Sequence, residues 1–156
     1  MDTPDYEAWF RAYAEAYTRS LDGEVEVETI RGFFAETVLA LGVDGSLNPA
    51  STADKAFADM LIQMYAFFRS IGTRRMSVER VEVSPLYDNH DRVQVFYKAD
   101  YRKPDGTALT IPFDLVYLIQ RRKTGPVIFA FIAGDEMAEY RRHGLVDADG
   151  RPPSAA

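Results

Sequence analysis

Residues 107–133, TALTIPFDLVYLIQRRKTGPVIFAFIA, decide the fold of this chain. The segment contains two runs rich in Val, Ile, Phe and Tyr, at residues 107–122 and 127–133, joined by the turn sequence KTGP at residues 123–126. Such runs are typical of β-strands. Because the connection is too short for a crossover helix, we predict that the two strands are antiparallel neighbours.

Two more predicted strands precede this pair. They lie at residues 76–86 and 92–102, and each ends in turn residues, DNHD at 88–91 and KPDG at 103–106. The connections are again short, so the four strands are expected to form an antiparallel meander.

The first half of the chain has the period of helices. Aromatic residues recur at helical spacing from Tyr6 to Tyr17, after a start predicted at Thr3, and a second helical stretch runs through Ile30 to Phe34. A capping box at residues 51–54 opens a third helix that ends at Gly72. A hairpin around residues 42–45 separates the second and third helices, and a last helix is predicted at residues 136–143. Helices gathered on one face of an antiparallel sheet make an α+β domain.

Composition narrows the functional classes. The chain has 156 residues, a formal net charge of −6 and no cysteine. The lack of cysteine excludes disulfides and thiolate metal sites, and an acidic chain with scattered basic residues is not typical of nucleic-acid binding. His90 and His143 have no partner at metal-ligand spacing, and glycine-rich phosphate motifs are absent, so we expect no metal and no cofactor.

Length and the chain ends predict organisation and location. A chain of this size is expected to form one domain, at residues 1–146, followed by a flexible tail at residues 147–156. No apolar run approaches the roughly 18 residues of a membrane span, and the acidic residues 1–5 do not resemble a secretory signal. We therefore expect a cytoplasmic protein with no membrane partner.

The predicted strand at residues 107–122 is apolar on both faces. Phe113, Leu115 and Tyr117 alternate with Val116 and Leu118. A sheet covered on one side only should alternate apolar and polar residues. The second apolar face needs a partner, and a second copy of the chain is the simplest one. We predict a homodimer through the sheet.

The order of elements resembles that of a known superfamily. The aromatic first helix, the apolar helix at residues 57–71 and the strands that contain IPFDLVY (111–117) and VIFAFIAGDE (127–136) are similar to those of the nuclear-transport-factor-two-like (NTF2-like) superfamily. The resemblance covers nearly the whole chain. It implies a cystatin-like cone in which N-terminal helices pack on a curved, mainly antiparallel sheet around a pocket. The superfamily includes ketosteroid isomerases, SnoaL-like polyketide cyclases, dehydratases and proteins without a known reaction, so it implies no single chemistry.

Two positions are similar to the ketosteroid isomerases in particular. Asp114, in IPFD at residues 111–114, resembles the isomerase aspartic acid that stays protonated in an apolar site and donates to the substrate oxyanion. Tyr13 lies where the isomerases place their oxyanion tyrosine, and Tyr17 follows one helical turn later. The isomerase general base would fall at residues 40–42, which are Ala, Leu and Gly. Steroid isomerisation by that mechanism is therefore not expected.

Asp114 also stands out without the resemblance, because it interrupts an apolar strand. An unpaired buried carboxylate is costly, so Asp114 is expected either to act as an acid or base at the pocket floor or to pair across the sheet at a dimer face. The first interpretation makes Asp114, Tyr13 and Tyr17 the catalytic candidates. The other predicted ligand-binding residues are Trp9, Phe33, Met64, Tyr65, Tyr117 and Phe131.

Two functional hypotheses follow. The first is a small-molecule-binding pocket protein for an apolar cyclic ligand, with cofactor-free isomerisation, cyclisation or dehydration as the reaction if it is an enzyme. The second is a non-catalytic binding or dimerisation module whose cavity is filled by Phe and Tyr side chains. A cavity of roughly 300 Å³ or more that opens onto Asp114 would favour the first.

Overall fold

The computed structural model describes residues 2–153, in which helices cover one face of a single curved sheet. The sheet has the strand order β2-β1-β6-β5-β4-β3, and neighbouring strands are antiparallel except for β1 and β6, which are parallel. The predicted α+β class and mainly antiparallel sheet are confirmed. The elements are α1 (Tyr6–Asp22), α2 (Val27–Arg31), β1 (Phe34–Gly42), β2 (Leu47–Ser51), α3 (Lys55–Ser70), β3 (Thr73–Tyr87), β4 (His90–Arg102), β5 (Ala108–Arg122), β6 (Gly125–Ala133) and α4 (Glu136–Arg142).

Two predicted helix starts are wrong. Helix α1 begins after Asp5, whose carboxylate accepts a hydrogen bond from a backbone amide of the first turn. Before α3, Ser51 belongs to β2, and the hydroxyl of Thr52 donates to the carbonyl of Ala35 at 2.7 Å. Asp54 precedes α3 without a side-chain capping bond. Ser51, which the capping-box pattern assigned to the start of the helix, is therefore the last residue of β2.

The second predicted helix is shorter than its pattern. Helix α2 ends at Arg31, and Phe34 is the first residue of β1. The apolar spacing of Ile30 and Phe34 continues into the strand because both residues pack in the same cluster with residues of α1 and α3.

Apolar faces of the long helices hold the fold together. Tyr6, Phe10 and Ala14 recur every four residues on α1 and are buried in a cluster with residues of β3, β4, β5 and β6. Phe57, Leu61 and Tyr65 repeat the spacing on α3 and join a second cluster between α1, α2 and α3. This spacing places one stripe of each helix against its neighbours. No helix within residues 2–153 is long and apolar enough to cross a membrane.

The turn from α3 to β3 requires glycine. Gly72 has a φ of +85°, and a Cβ built on it would lie 2.1 Å from the carbonyl oxygen of Arg102. The carbonyl of Gly72 in turn accepts a hydrogen bond from the amide of Arg102 at 2.8 Å. This close approach of two backbones fixes where β3 begins beside the end of β4.

A buried carboxylate fixes the opposite end of β4. Asp91 is 1% exposed and accepts a hydrogen bond from the hydroxyl of Tyr6 at 2.6 Å. The guanidinium of Arg121 lies 3.0 Å from the same carboxylate. Burial, followed by the hydrogen bond to Asp91, raises the pKa of the Tyr6 hydroxyl far above its usual range. The turn pattern at residues 88–91 predicts only a polar turn, so neither the ion pair between Asp91 on β4 and Arg121 on β5 nor the hydrogen bond from Tyr6 on α1 was expected.

The predicted domain boundary lies beside a small third cluster. Leu145 and Val146 are buried together with Tyr140. The carboxylate of Asp147 accepts hydrogen bonds from two backbone amides of residues 149–151. Of the predicted flexible tail, residues 154–156 lie outside the described residues, and the tail's flexibility stays a prediction.

Candidate ligand-binding site

An open cavity of about 530 Å³ lies between the concave face of the sheet and the helices. Its walls come from α1, β1, β2, α3, the inner faces of β4, β5 and β6, and the start of α4. Five exposed residues of the lining mark its opening: Asn48, Pro49, Met60, Gly134 and Glu136. The volume lies within the range of small-molecule sites and above the roughly 300 Å³ expected for a ligand pocket, but Asp114 is not among the lining residues.

Five of the nine residues predicted for the site line this cavity. They are Tyr13, Tyr17, Met64, Tyr117 and Phe131. Tyr13 and Tyr17 come from α1 and Met64 from α3, while Tyr117 and Phe131 are register partners on β5 and β6. The aromatic stripe of the first helix thus reaches the space that the sequence analysis assigned to a ligand.

Asp114 does not face the cavity. Side chains alternate along a strand, and Phe113 and Leu115 line the cavity, so Asp114 projects from the opposite face. It is exposed, and its carboxylate accepts a hydrogen bond from the side-chain amide of Gln94 at 2.8 Å. The expectation that Asp114 lies at the pocket floor is therefore wrong, and its environment is that of an outer sheet residue.

Trp9, Phe33 and Tyr65 also lie outside the cavity lining, because they pack in the core behind it. The rings of Trp9 and Phe33 contact each other edge to face, with centroids 4.9 Å apart. Tyr65 is fully buried against Tyr17, with ring centroids 5.1 Å apart. Within residues 2–153 the Tyr65 hydroxyl has no hydrogen-bond partner.

Tyrosine hydroxyls supply most of the polar groups inside the cavity. The hydroxyls of Tyr97 and Tyr117 lie 2.8 Å apart and share a hydrogen bond. Burial raises the pKa of both well above the usual range, and burial together with the charge of Glu136 raises the pKa of Tyr13 to about 12. These hydroxyls therefore stay neutral at physiological pH and can donate or accept hydrogen bonds.

Glu136 is the acid that the sequence analysis missed. It is the first residue of α4 and lines the cavity at its opening, directly after Asp135, whose carboxylate caps the helix by accepting from the amide of Ala138 at 3.0 Å. Burial among surrounding protein atoms raises the pKa of the Glu136 carboxyl, although the interaction with Tyr140 opposes this rise. The available signal was the start of the predicted helix at residue 136, directly after the strand at residues 127–133.

Tyr140, one turn later on α4, and Tyr101 on β4 line the same cavity as Glu136. The interaction with Tyr140 lowers the pKa of the Glu136 carboxyl against the larger effect of burial. Burial, the largest cause, and the charge of Glu136 raise the pKa of Tyr101 to about 12, against the lowering effect of its interaction with Tyr140. One carboxyl and two phenols therefore line the same side of the cavity.

The charged lining is acidic only. Glu139, one turn after Glu136 on the cavity side, is paired with Arg142, and the ring of His143 lies 3.5 Å from its carboxylate. Among the residues that the structure describes, no Lys, Arg or His lines the cavity. The same part of the chain contains no group of three or more His, Asp or Glu residues placed to hold a metal ion.

The family model described as "NTF2-like protein (DUF6841)" matches residues 4–136. The chain belongs to this NTF2-like family. No curated protein matches it at a significant level.

Solved structures of this NTF2-like fold agree with the architecture. An NTF2-like protein of unknown function from Shewanella oneidensis has a TM-score of 0.58 at 14% identity, covering 84% of this chain and 97% of its own. A ketosteroid isomerase-like protein from Erwinia carotovora has a TM-score of 0.53 at 13% identity, with 85% and 97% covered. A protein of unknown function with a cystatin-like fold from Nostoc punctiforme has a TM-score of 0.56 at 13% identity, and the match covers 86% of this chain and 94% of that protein. At these identities the likeness concerns the fold alone.

This NTF2-like chain does not assemble the isomerase site that the resemblance implied. Tyr13 lines the cavity, but Asp114 lies on the other face of the sheet. Ala40, at the position of the isomerase base, also lines the cavity and offers no acid. The remaining acidic groups of the cavity, Glu136 and Glu139, come from α4 instead.

Proposed function

We propose that this NTF2-like domain binds a small, mostly apolar ligand in the cavity. The observation that carries the proposal is the open space of about 530 Å³ with mostly apolar walls, whose polar groups are tyrosine hydroxyls, Asn48, Thr52, Glu136 and Glu139. The side chains of Phe34, Phe113 and Phe131 form an aromatic part of the cavity wall. Pockets with such walls and few polar groups suit flat, cyclic ligands that carry a single oxygen or nitrogen function.

A cavity-filling variant tests this proposal. Ala133 lines the cavity on β6, so Ala133→Ile should fill part of it and weaken the binding of cyclic ketones and hydroxylated aromatics by about tenfold or more. Ala108→Ile makes the same change at an exposed position of β5 and serves as the control. Isothermal titration of both variants and the wild type against such a panel gives the affinities. Equal affinities in all three proteins would place binding elsewhere, and no binding to the wild type would reject the proposal for these ligands.

The second candidate is cofactor-free proton transfer, and the position of Glu136 favours it. A carboxyl whose pKa is raised by burial and which lies at the cavity opening can take a proton from a carbon next to a ligand carbonyl. The proton would move to a Glu136 oxygen and return to the ligand, while tyrosine hydroxyls donate to the carbonyl oxygen. The reaction class is that of an isomerase or a related lyase.

Deuterium exchange tests this candidate without a known substrate. In D₂O the wild type should exchange the protons next to the carbonyl of a bound cyclic ketone, which NMR detects as loss of proton signal. Glu136→Gln should remove the protein-dependent exchange, whereas Glu15→Gln, at an exposed position of α1, should not. Exchange that is equal in wild type and Glu136→Gln would contradict the role of this carboxyl.

We also propose that the outer face of the sheet joins two copies of the chain. Val116 and Leu118 are half-buried on this face, and Ile132, the register partner of Val116, is 37% exposed. These apolar side chains support the homodimer predicted from the sequence, since a second copy would cover them. The cytoplasmic location also stays a prediction.

A further inference from the structure

We propose that the cavity prefers cationic ligands: an apolar aromatic or aliphatic body inside, with an organic ammonium group beside Glu136. The inference rests on the proposed function, because it specifies the charge of the ligand that the same cavity binds. It follows from the placement of Glu136, from the absence of basic residues in the described lining and from the aromatic residues that line the same cavity.

Glu136 lacks the cation that its neighbour Glu139 has. The carboxylate of Glu139 is paired with Arg142 and lies near His143. Within residues 2–153 no Lys, Arg or His forms an ion pair with Glu136, and no basic side chain is among the causes that shift the pKa of its carboxyl. Glu136 is exposed at the opening of the cavity, so its carboxylate is accessible to a ligand, and a ligand ammonium group would supply the counter-charge that the described lining lacks.

Aromatic residues line the same cavity as this carboxyl. Its charge contributes to the raised pKa of Tyr13, Tyr17, Tyr101 and Tyr140, all of which line the cavity. The face of a tyrosine ring attracts a cation, and each phenol oxygen can accept a hydrogen bond from an ammonium N–H. A carboxylate in a cavity lined by aromatic rings is a combination that stabilises an organic cation in two ways.

The opposite charge is disfavoured at this site. A ligand carboxylate or phosphate near Glu136 would lie beside a second negative group and would find no basic side chain in the described lining. A neutral ligand would fill the apolar part of the cavity but would leave the Glu136 carboxyl without a counter-charge. We therefore expect the order of affinity to be cation, then neutral, then anion.

A series of three naphthyl compounds separates ligand charge from shape. The probes are 2-(1-naphthyl)ethylammonium, 2-(1-naphthyl)ethanol and 1-naphthaleneacetate, titrated calorimetrically into the full chain near neutral pH. The ammonium compound should bind about tenfold or more tightly than the alcohol, and the carboxylate most weakly. Glu136→Gln should weaken binding of the ammonium compound by about tenfold and change that of the alcohol by less than about twofold.

Glu139→Gln is the matched control, one turn away on the same helix. It should change the affinity for the ammonium compound less than Glu136→Gln does, because Glu139 already has basic partners. Circular dichroism and thermal unfolding verify that both variants are folded. Binding of all three probes with equal affinity, or an unchanged preference in Glu136→Gln, would overturn the inference and leave the proposed function standing. Binding of none of them to the wild type would overturn both for this class of ligand.

Discussion

The hydroxyl oxygens of Tyr97 and Tyr117 lie 2.8 Å apart in the wall of the cavity. Both side chains are buried, on the neighbouring strands β4 and β5, and the ring of Tyr97 stacks on that of Phe113 with centroids 5.1 Å apart. Each phenol therefore satisfies the other in an otherwise apolar wall. The pair therefore places two hydrogen-bonding hydroxyl groups at a fixed position in the cavity wall.

Removing one member of the pair should destabilise the protein. Tyr117→Phe leaves the hydroxyl of Tyr97 without its partner, so the free energy of unfolding should fall by about 1–2 kcal/mol. Tyr87→Phe is the control, because Tyr87 is 81% exposed and should change stability little. Urea denaturation measures both. The double variant Tyr97→Phe with Tyr117→Phe should lose less than the sum of the single losses, and strict additivity would contradict the pairing.

The sequence predicted the four-strand meander of β3 to β6 well because its pattern has a single period, but not the parallel pairing by which β1 joins the hairpin to β6. Alternation along residues 111–119 assigns Phe113 and Tyr117 to one face and Val116 to the other, and the register confirms this. Helix starts were predicted less well. A capping-box pattern at residues 51–54 looks the same whether Ser51 caps a helix or ends a strand, and only the tertiary bond from Thr52 to Ala35 decides.

The site was harder to predict because one residue of register decides which face a side chain occupies. Alternation already placed Asp114 opposite Phe113, but the sequence could not say which face was concave. Glu136 could not be identified because its importance depends on the position of α4 over the cavity. Tyr13 and Tyr17 line the cavity, since a helical aromatic stripe faces the sheet, and their catalytic role stays a prediction.

The glycine between α3 and β3 provides a test of backbone packing. Gly72→Ala introduces a Cβ that would lie 2.1 Å from the carbonyl oxygen of Arg102, in addition to the cost of a positive φ. Gly106→Ala has a similar φ of +87° but meets nothing within 4 Å, so it isolates the conformational cost of about 1 kcal/mol. The loss for Gly72→Ala should exceed this by about 2 kcal/mol or more in urea unfolding. Equal losses would show that the clash is relieved cheaply.

The buried carboxylate of Asp91, at the start of β4, should contribute more to the free energy of unfolding than the exposed carboxylate of Asp88 in the preceding turn. Asp91→Asn removes the charge that pairs with Arg121 and weakens the acceptor for Tyr6, so the free energy of unfolding should fall by about 3 kcal/mol. Asp88→Asn, at an exposed position of the same turn, should have little effect. Thermal and urea unfolding of the two variants provide the comparison. Similar losses for both would contradict the structural role of Asp91.

Glu136 should make stability depend on pH in a defined direction. Burial raises the pKa of its carboxyl, so the folded protein holds this proton more tightly than the unfolded chain, whose Glu pKa is about 4.3. The resulting stabilisation is complete below the unfolded pKa and is lost as the pH rises through the raised folded pKa. The stability of the wild type relative to Glu136→Gln should therefore fall from about pH 4 towards neutral pH. Urea unfolding at a series of pH values measures the difference, and an increase with pH would contradict the prediction.

The outer face of the sheet should determine the oligomeric state. In a dimer through this face Val116 and Ile132 are opposite each other on β5 and β6 and would both be covered by the second copy. Val116→Lys places a charge in the centre of this surface, and burying an unpaired lysine is costly, so the variant should be monomeric. Light scattering coupled to size exclusion gives the mass directly.

The control for this variant carries the same change on a helix. Ala66→Lys alters an exposed position of α3, away from the sheet face, and should leave the mass of the wild type unchanged. A wild type that is monomeric at about 100 μM would show that the apolar outer face does not drive association. A dimer that persists in Val116→Lys would instead place the interface elsewhere. Neither result bears on ligand binding, because the cavity opens on the helical side of the sheet, opposite the face that carries Val116.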